Sequence, residues 1–297
     1  MPVVSVLFPV MSLLALAAGE WRHHAPLPLP RTEVTATAFG GEIAVAGGFL
    51  AGGSSSREVD LYAPSTDTWR RAPDLPAGVN HAASAVARGR LYVLGGYGAE
   101  RSGFALAGGR WQTLRLPAAR KAAGAAALRG TVYVAGGIAA GSLARRMLAY
   151  DTRRRRWSSL PGPTPRQHLA VTAARGRVYA IAGRISGLDT NMALVESWAP
   201  GERRWRREAP VPEPRGGTGA AAVGGTIVSV GGEAPSGTLA HVYGYDVGTR
   251  RWRRLADLPT PRHGLGVAAL GDRVYVIGGG PQPGLHVSDA NESLRLF

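Results

Sequence analysis

A pair of glycines closing a short apolar run recurs along this chain, and no other feature constrains its fold as strongly. The pairs are Gly47-Gly48, Gly95-Gly96, Gly136-Gly137, Gly231-Gly232 and Gly278-Gly279, with Ala182-Gly183 as a sixth, degenerate copy. Successive first positions are separated by 48, 41, 46, 49 and 47 residues. Asp257–Gly279 shows one unit clearly: a turn at Pro259 and Pro261, Arg262, a small-residue apolar run Leu265–Leu270, Gly271-Asp272, a second apolar run Val274–Ile277, and the glycine pair. Two apolar runs joined by a tight Gly/Asp turn read as a β-hairpin. Self-similarity at a period in the forties reads as a repeat architecture, in which each unit buries its apolar face against its neighbours.

Further anchors keep the same register. Tyr92, Tyr133, Tyr179 and Tyr275 stand three residues before their glycine pairs, with Ala44 and Val228 in the other two units. Each of the first five pairs is followed by a tryptophan, at Trp69, Trp111, Trp157, Trp205 and Trp252. Seven residues before each of these lies another aromatic: Tyr62, Phe104, Tyr150, Trp198 and Tyr245. Such rings suit the packing between units. The small residues of Ala122–Ala127 and Gly216–Ala222 suit an innermost strand, where units crowd a common axis.

These residues resemble the kelch repeat: a strand ending in Gly-Gly, then Tyr-Asp (Tyr150-Asp151, Tyr245-Asp246), then Trp, then a Leu-Pro…Pro-Arg turn. The resemblance runs from about Glu20 to the end of the chain and implies an all-β, six-bladed β-propeller with four strands per blade. The blades are expected at 31–72, 79–116, 120–160, 166–210, 215–258 and 262–297. The last unit ends one strand short, and Glu20–Arg31 carries a spare Trp strand and Pro-rich turn. Residues 19–28 are therefore expected to complete the sixth blade, closing the ring and hiding two open sheet edges.

Residues 1–18 carry no charged side chain, are mostly apolar, and end in a small-x-small pattern at Ala15-Leu16-Ala17. They read as a secretory signal peptide, so a periplasmic or secreted protein is expected, with an uncleaved anchor as the alternative. No other stretch is apolar enough to span a bilayer. The absence of cysteine excludes disulfides and thiolate-ligated metal, and with them the cysteine-linked tyrosine that the resemblance to galactose oxidase would otherwise suggest.

The chain has 35 basic and 20 acidic residues, a formal charge of +15, and its one lysine is Lys121. Arg31, Arg120, Arg166, Arg215 and Arg262 each stand sixteen residues before a glycine pair, with Val79 in the second unit. Strand alternation puts the start of the first strand and the end of the second on one face. These five arginines are therefore expected at the rim of the central channel, where the resemblance implies a basic pocket for acidic ligands. Guanidinium groups suit bidentate contact with carboxylates. His81, His263 and Asn191 join them as expected ligand-binding residues, near Asn80, Lys121, Gln167 and Asp189. On the opposite face, arginine-rich turns at Arg88, Arg129, Arg175 and Arg273 lack interleaved stacking aromatics, which argues against nucleic acid.

Catalytic signals are sparse: there is no paired-histidine metal spacing, no phosphate loop and no nucleophile elbow. No metal and no cofactor are expected, and the chain is expected to be a monomer. Two function classes follow. One is a non-enzymatic module that binds a protein or an anionic carbohydrate at the channel mouth. The other is a sugar-acid mutarotase of the kind that binds sialic acid, which the chain resembles in size and blade number. For that chemistry Glu33, Glu213, Glu233 and His168 are the candidate acid–base groups.

Overall fold

The computed structural model describes residues 19–297; the signal-peptide reading of residues 1–18 lies outside the described residues. Six four-stranded antiparallel sheets follow one another around a central channel. The inner strands are Thr35–Phe39, Ala83–Ala87, Gly124–Leu128, Ala170–Ala174, Gly219–Val223 and Gly266–Leu270. In the sixth sheet the outermost strand is Trp21–His23, paired with Asn291–Arg295 in the register Trp21 to Leu294. The expected six-bladed propeller and its closure by an N-terminal strand are both borne out.

Packing between blades explains the repeat's anchors. A separate apolar cluster fills each of the six interfaces, for example Leu61, Val93 and Phe104 between the first two blades. Five of the repeat tryptophans donate their indole N–H to a backbone carbonyl in the preceding blade or its connector: Trp21 to Ala256, Trp69 to Ala25, Trp111 to Pro73, Trp205 to Pro161 and Trp252 to Ala209, at 2.8–3.0 Å. A half-buried tryptophan needs such a partner for its one polar atom.

The glycine pairs serve the ring directly. The second residue of every pair donates its N–H to the carbonyl of the next blade at the position sixteen before its own pair: Gly48 to Val79, Gly96 to Arg120, Gly137 to Arg166, Gly183 to Arg215, Gly232 to Arg262 and Gly279 to Arg31. Approach this close excludes a side chain. Gly95 has φ +65°, and a Cβ there would meet the Arg120 carbonyl oxygen at 2.2 Å. Gly95→Ala is expected to lose about 1–3 kcal/mol or more in urea unfolding, from left-handed strain and the backbone clash together. An unchanged midpoint would contradict this account of the pair.

A second ring of hydrogen bonds lies at the channel mouth. Residues 33, 81, 122, 168, 217 and 264, each two past the arginine position, all have left-handed backbone with φ between 51° and 64°. The N–H of each of residues 81, 122, 168, 217 and 264 donates to the carbonyl of the previous one, and Val34 N–H closes the circle on Gly264. Four of these positions hold residues other than glycine, so packing around the axis enforces the strained conformation. Among the described residues there is one short helix, Leu188–Thr190, and no helix long and apolar enough to cross a membrane.

Candidate binding site at the channel mouth

The left-handed ring places Glu33, His81 and His168 around the channel, with Ala122, Gly217 and Gly264 at the remaining positions. The cavity they line is about 90 Å³. Below it the channel is walled largely by alanine and widens to about 350 Å³ toward the far face. Just above the ring, the residue after each arginine position pairs across with the residue after each glycine pair: Thr32 with Phe49, Asn80 with Tyr97, Lys121 with Ile138, Gln167 with Arg184, Gly216 with Glu233 and His263 with Gly280.

The mouth is polar at its centre. His81 Nε2 lies 3.1 Å from His168 Nε2 and 3.3 Å from Glu33 Oε2. His263 Nδ1 sits between two carboxylates at ion-pair distances, 3.4 Å from Glu33 Oε1 and 3.6 Å from Glu233 Oε2. Arg184 Nη1 donates to Glu233 Oε1 at 2.7 Å, and Asn191 Nδ2 donates to the Glu233 carbonyl at 2.6 Å. Glu33, Glu233, His81, His168, His263 and Asn191, scattered over the sequence, thus converge on one mouth.

The electrostatics assign their charges. Burial alone would raise the Glu33 carboxyl, but His81, His263 and His168 around it hold it well below the usual carboxylate range. Burial dominates at His168, pushing it down to about 3, and lowers His81 against the pull of Glu33. At His263 burial is outweighed by Glu33 and Glu233, and its affinity for a proton rises. The mouth therefore sets His263, drawn toward its protonated form by the acids beside it, next to two imidazoles that burial pushes toward their neutral form.

The five rim arginines behave otherwise than expected. Arg31, Arg166, Arg215 and Arg262 are fully buried and Arg120 is 2% exposed. Their side chains turn into the blade instead of the channel. Arg262 shows the pattern: Nε donates to Gly278 O at 2.7 Å, Nη2 to Val276 O at 3.1 Å, and Nη1 to Thr260 O at 3.0 Å and Glu292 Oε2 at 2.7 Å. Arg166 repeats it with Ala182, Ala180, Thr164 and Glu196. Arg31 pairs with Asp60 and Arg215 with Glu213. Arg120 has only the carbonyls of Ala119 and Arg146, and burial lowers it to about 10. A buried guanidinium is costly unless it is paired; the third strand's acid and the glycine-pair carbonyl supply partners to Arg31, Arg166 and Arg262, Glu213 takes the acid's place at Arg215, and Arg120 has carbonyls alone. The arginine-lined mouth is therefore corrected: these arginines bind the blade to itself.

Glu213 is likewise set apart, holding Arg215 at 2.6 Å and His241 at 3.2 Å away from the mouth cavity. Two cations do reach the mouth: Lys121, paired across with Ile138, and Arg184, which sequence reasoning did not select. Its signal was present: it directly follows the degenerate Ala182-Gly183, at the position that projects Phe49, Tyr97 and Ile138 elsewhere.

The family model described as Kelch motif matches residues 30–76, 119–164 and 214–259, which are the first, third and fifth blades with their connectors. No curated protein matches the chain.

Proposed function

Because this chain is a kelch-repeat β-propeller, a fold that supports protein-interaction modules in general, we propose that it is a non-enzymatic binding module whose ligand is a protein segment seated at the channel mouth. One observation carries this reading: the mouth is divided. The first three blades project Phe49, Tyr97 and Ile138 from the position after the glycine pair, and the next two project Arg184 and Glu233 from the same position. Ile185 and Leu285, 52% and 47% exposed, extend the apolar surface on neighbouring loops. An apolar rim around a charged centre suits a peptide that anchors one bulky side chain and satisfies one polar group.

Lys121 sharpens the ligand's chemistry. Its ammonium lies 4.2 Å from the centre of the Tyr97 ring, and no carboxylate pairs with it among the described residues. It lines a cleft of about 320 Å³ with Ile138, Glu100 and Arg101, between the loops of the second and third blades. A ligand with an acidic group beside an apolar side chain fits that cleft. The reading includes export of the chain, with residues 1–18 as its leader.

Selection of peptides from a displayed library on the purified protein tests the proposal. Enriched peptides should carry Asp or Glu next to a bulky apolar residue. Lys121→Glu and Tyr97→Ala should each weaken their binding by about 1–2 kcal/mol, roughly five- to thirty-fold. Peptides that bind both variants as well as the parent would overturn it. The mutarotase reading draws on Glu33, Glu233 and His168 beside Arg184. A cavity of about 90 Å³ is small for a sugar acid, and Arg184 is already paired with Glu233. Accelerated anomer exchange of a sialic acid, lost in His168→Ala, would favour that reading over the docking one.

A further inference from the structure

Two histidines on different blades meet tip to tip in the channel, each with a side-chain amide oxygen behind its Nδ1. His168 Nδ1 lies 3.1 Å from Gln167 Oε1, and that amide is oriented by its own Nε2, which donates to the Ile185 carbonyl at 3.3 Å. His81 Nδ1 lies 2.6 Å from Asn80 Oδ1, and Asn80 Nδ2 donates to Ser55 Oγ at 2.7 Å. Both Nδ1 atoms therefore donate, and both Nε2 atoms present lone pairs. Those lone pairs face each other at 3.1 Å, with a carboxylate oxygen of Glu33 3.3 Å from one of them. Three electron-pair donors converge with no hydrogen between them.

We propose that Glu33, His81 and His168 form a binding site for a divalent first-row transition-metal ion that bridges the first, second and fourth blades across the channel mouth. Their donor atoms lie within 4.8 Å of one another. Ligands about 2.0–2.1 Å from one ion stand roughly 2.9 Å apart at octahedral angles and 3.3 Å apart at tetrahedral ones, the range of the two contacts above. Two imidazoles and one carboxylate suit zinc, iron(II) or cobalt(II) and disfavour calcium and magnesium, which prefer all-oxygen sets.

The surroundings support each ligand. Asn80 and Gln167 hold the two rings from behind, and His263 lies at 3.4 Å from the second Glu33 oxygen. Partners of this kind orient metal-binding side chains. Gly264 leaves the room that Glu33 occupies, since a Cβ there would fall 2.6 Å from Glu33 Oε1. Ala122, Gly217 and Gly264 keep the rest of the ring free of large side chains, and the cavity of about 90 Å³ has space for an ion and one or two waters. The site stands apart from the peptide cleft beside Lys121 and survives if that reading fails.

The test uses the untagged protein from Gly19, stripped with EDTA and titrated with Zn²⁺ by calorimetry at neutral pH. One equivalent should bind, and saturating Zn²⁺ should raise the melting temperature, as expected for an ion that binds only the folded ring. Co²⁺ should give visible d–d absorption. His81→Ala/His168→Ala should abolish the absorption and weaken Zn²⁺ binding by about a hundredfold or more, while Gln167→Ala, which acts only through His168, should weaken it about tenfold. If the double variant does not fold, Glu33→Gln provides the comparison with little change in shape. Absence of saturable Zn²⁺ binding by the parent would overturn the proposal and leave the two rings sharing a proton. Equal affinity in folded ligand variants would overturn it too.

Discussion

Alanine at Arg262 is expected to destabilise the propeller by about 3–5 kcal/mol, the loss that follows when one partner of a buried ion pair is removed. Neither side chain of the Arg262–Glu292 pair is exposed to any extent. The variant would lose four hydrogen bonds from one guanidinium and leave the buried Glu292 carboxylate with Thr260 Oγ1, 2.8 Å away, and the exposed His23 Nδ1, 3.4 Å away. Paired replacement, Arg262→Met with Glu292→Leu, should recover most of the loss, because no buried charge is then left alone. Urea unfolding of the two variants beside the parent makes the measurement. If instead Arg262→Ala unfolds at the parent's midpoint and loses only ligand binding, the arginine faces the mouth after all. Arg120 offers an internal contrast, since it has carbonyl partners and no carboxylate. Arg120→Met should cost less than Arg262→Ala, because it strands no charge.

Removal of residues 19–30 is expected to cost more than about 5 kcal/mol and lower the melting temperature by roughly 10 °C or more. The segment supplies the outer strand of the sixth blade, with backbone bonds from Gly19 to Arg295, His24 to Asn291 and Leu27 to Asp289. Leu27 is 2% exposed within the cluster that joins the sixth blade to the first. Burial of one such side chain is worth about 2 kcal/mol, and each net hydrogen bond about 1 kcal/mol. The loss also reaches the first blade. Trp69 would lose the Ala25 carbonyl and Tyr62 the His24 ring 5.7 Å away, while in the sixth blade Tyr275 would lose the same ring, 5.6 Å from it. The exposed edge of Asn291–Arg295 would be free to pair with another chain, so concentration-dependent association should accompany the drop. A truncated protein that melts with the parent and stays monomeric would show that the ring does not depend on this strand.

The repeat determined the fold by itself. Glycine pairs at a period in the forties, the tyrosine three residues before them and the tryptophan after them each meet a requirement of one blade. Because six registers agree, a weak copy such as Ala182-Gly183 is still placed correctly. Closure was legible for the same reason: a Trp strand without a blade at one end and a blade without its last strand at the other. Most of the mouth was legible too, because Glu33, His81 and His168 share one offset from the arginine position, and His263 and Glu233 lie next to it in the pairing. Tertiary structure decided the direction of the side chains. Arg262 and Glu33 occupy equivalent turns two positions apart, yet one points into its blade and the other into the channel. Glu33 itself carries the left-handed backbone that turns its side chain the other way, and the buried acid that receives Arg31, Arg166 or Arg262, namely Asp60, Glu196 or Glu292, lies some thirty residues further on, in the third strand. The near-constant offset of that acid lies in the sequence, but only the fold shows that the two side chains meet inside the blade, where a desolvated carboxylate draws the guanidinium away from the channel. The same holds for the meeting of His81 with His168: they belong to blades two units apart, and only a closed ring of small-residue strands brings their nitrogens within 3.1 Å.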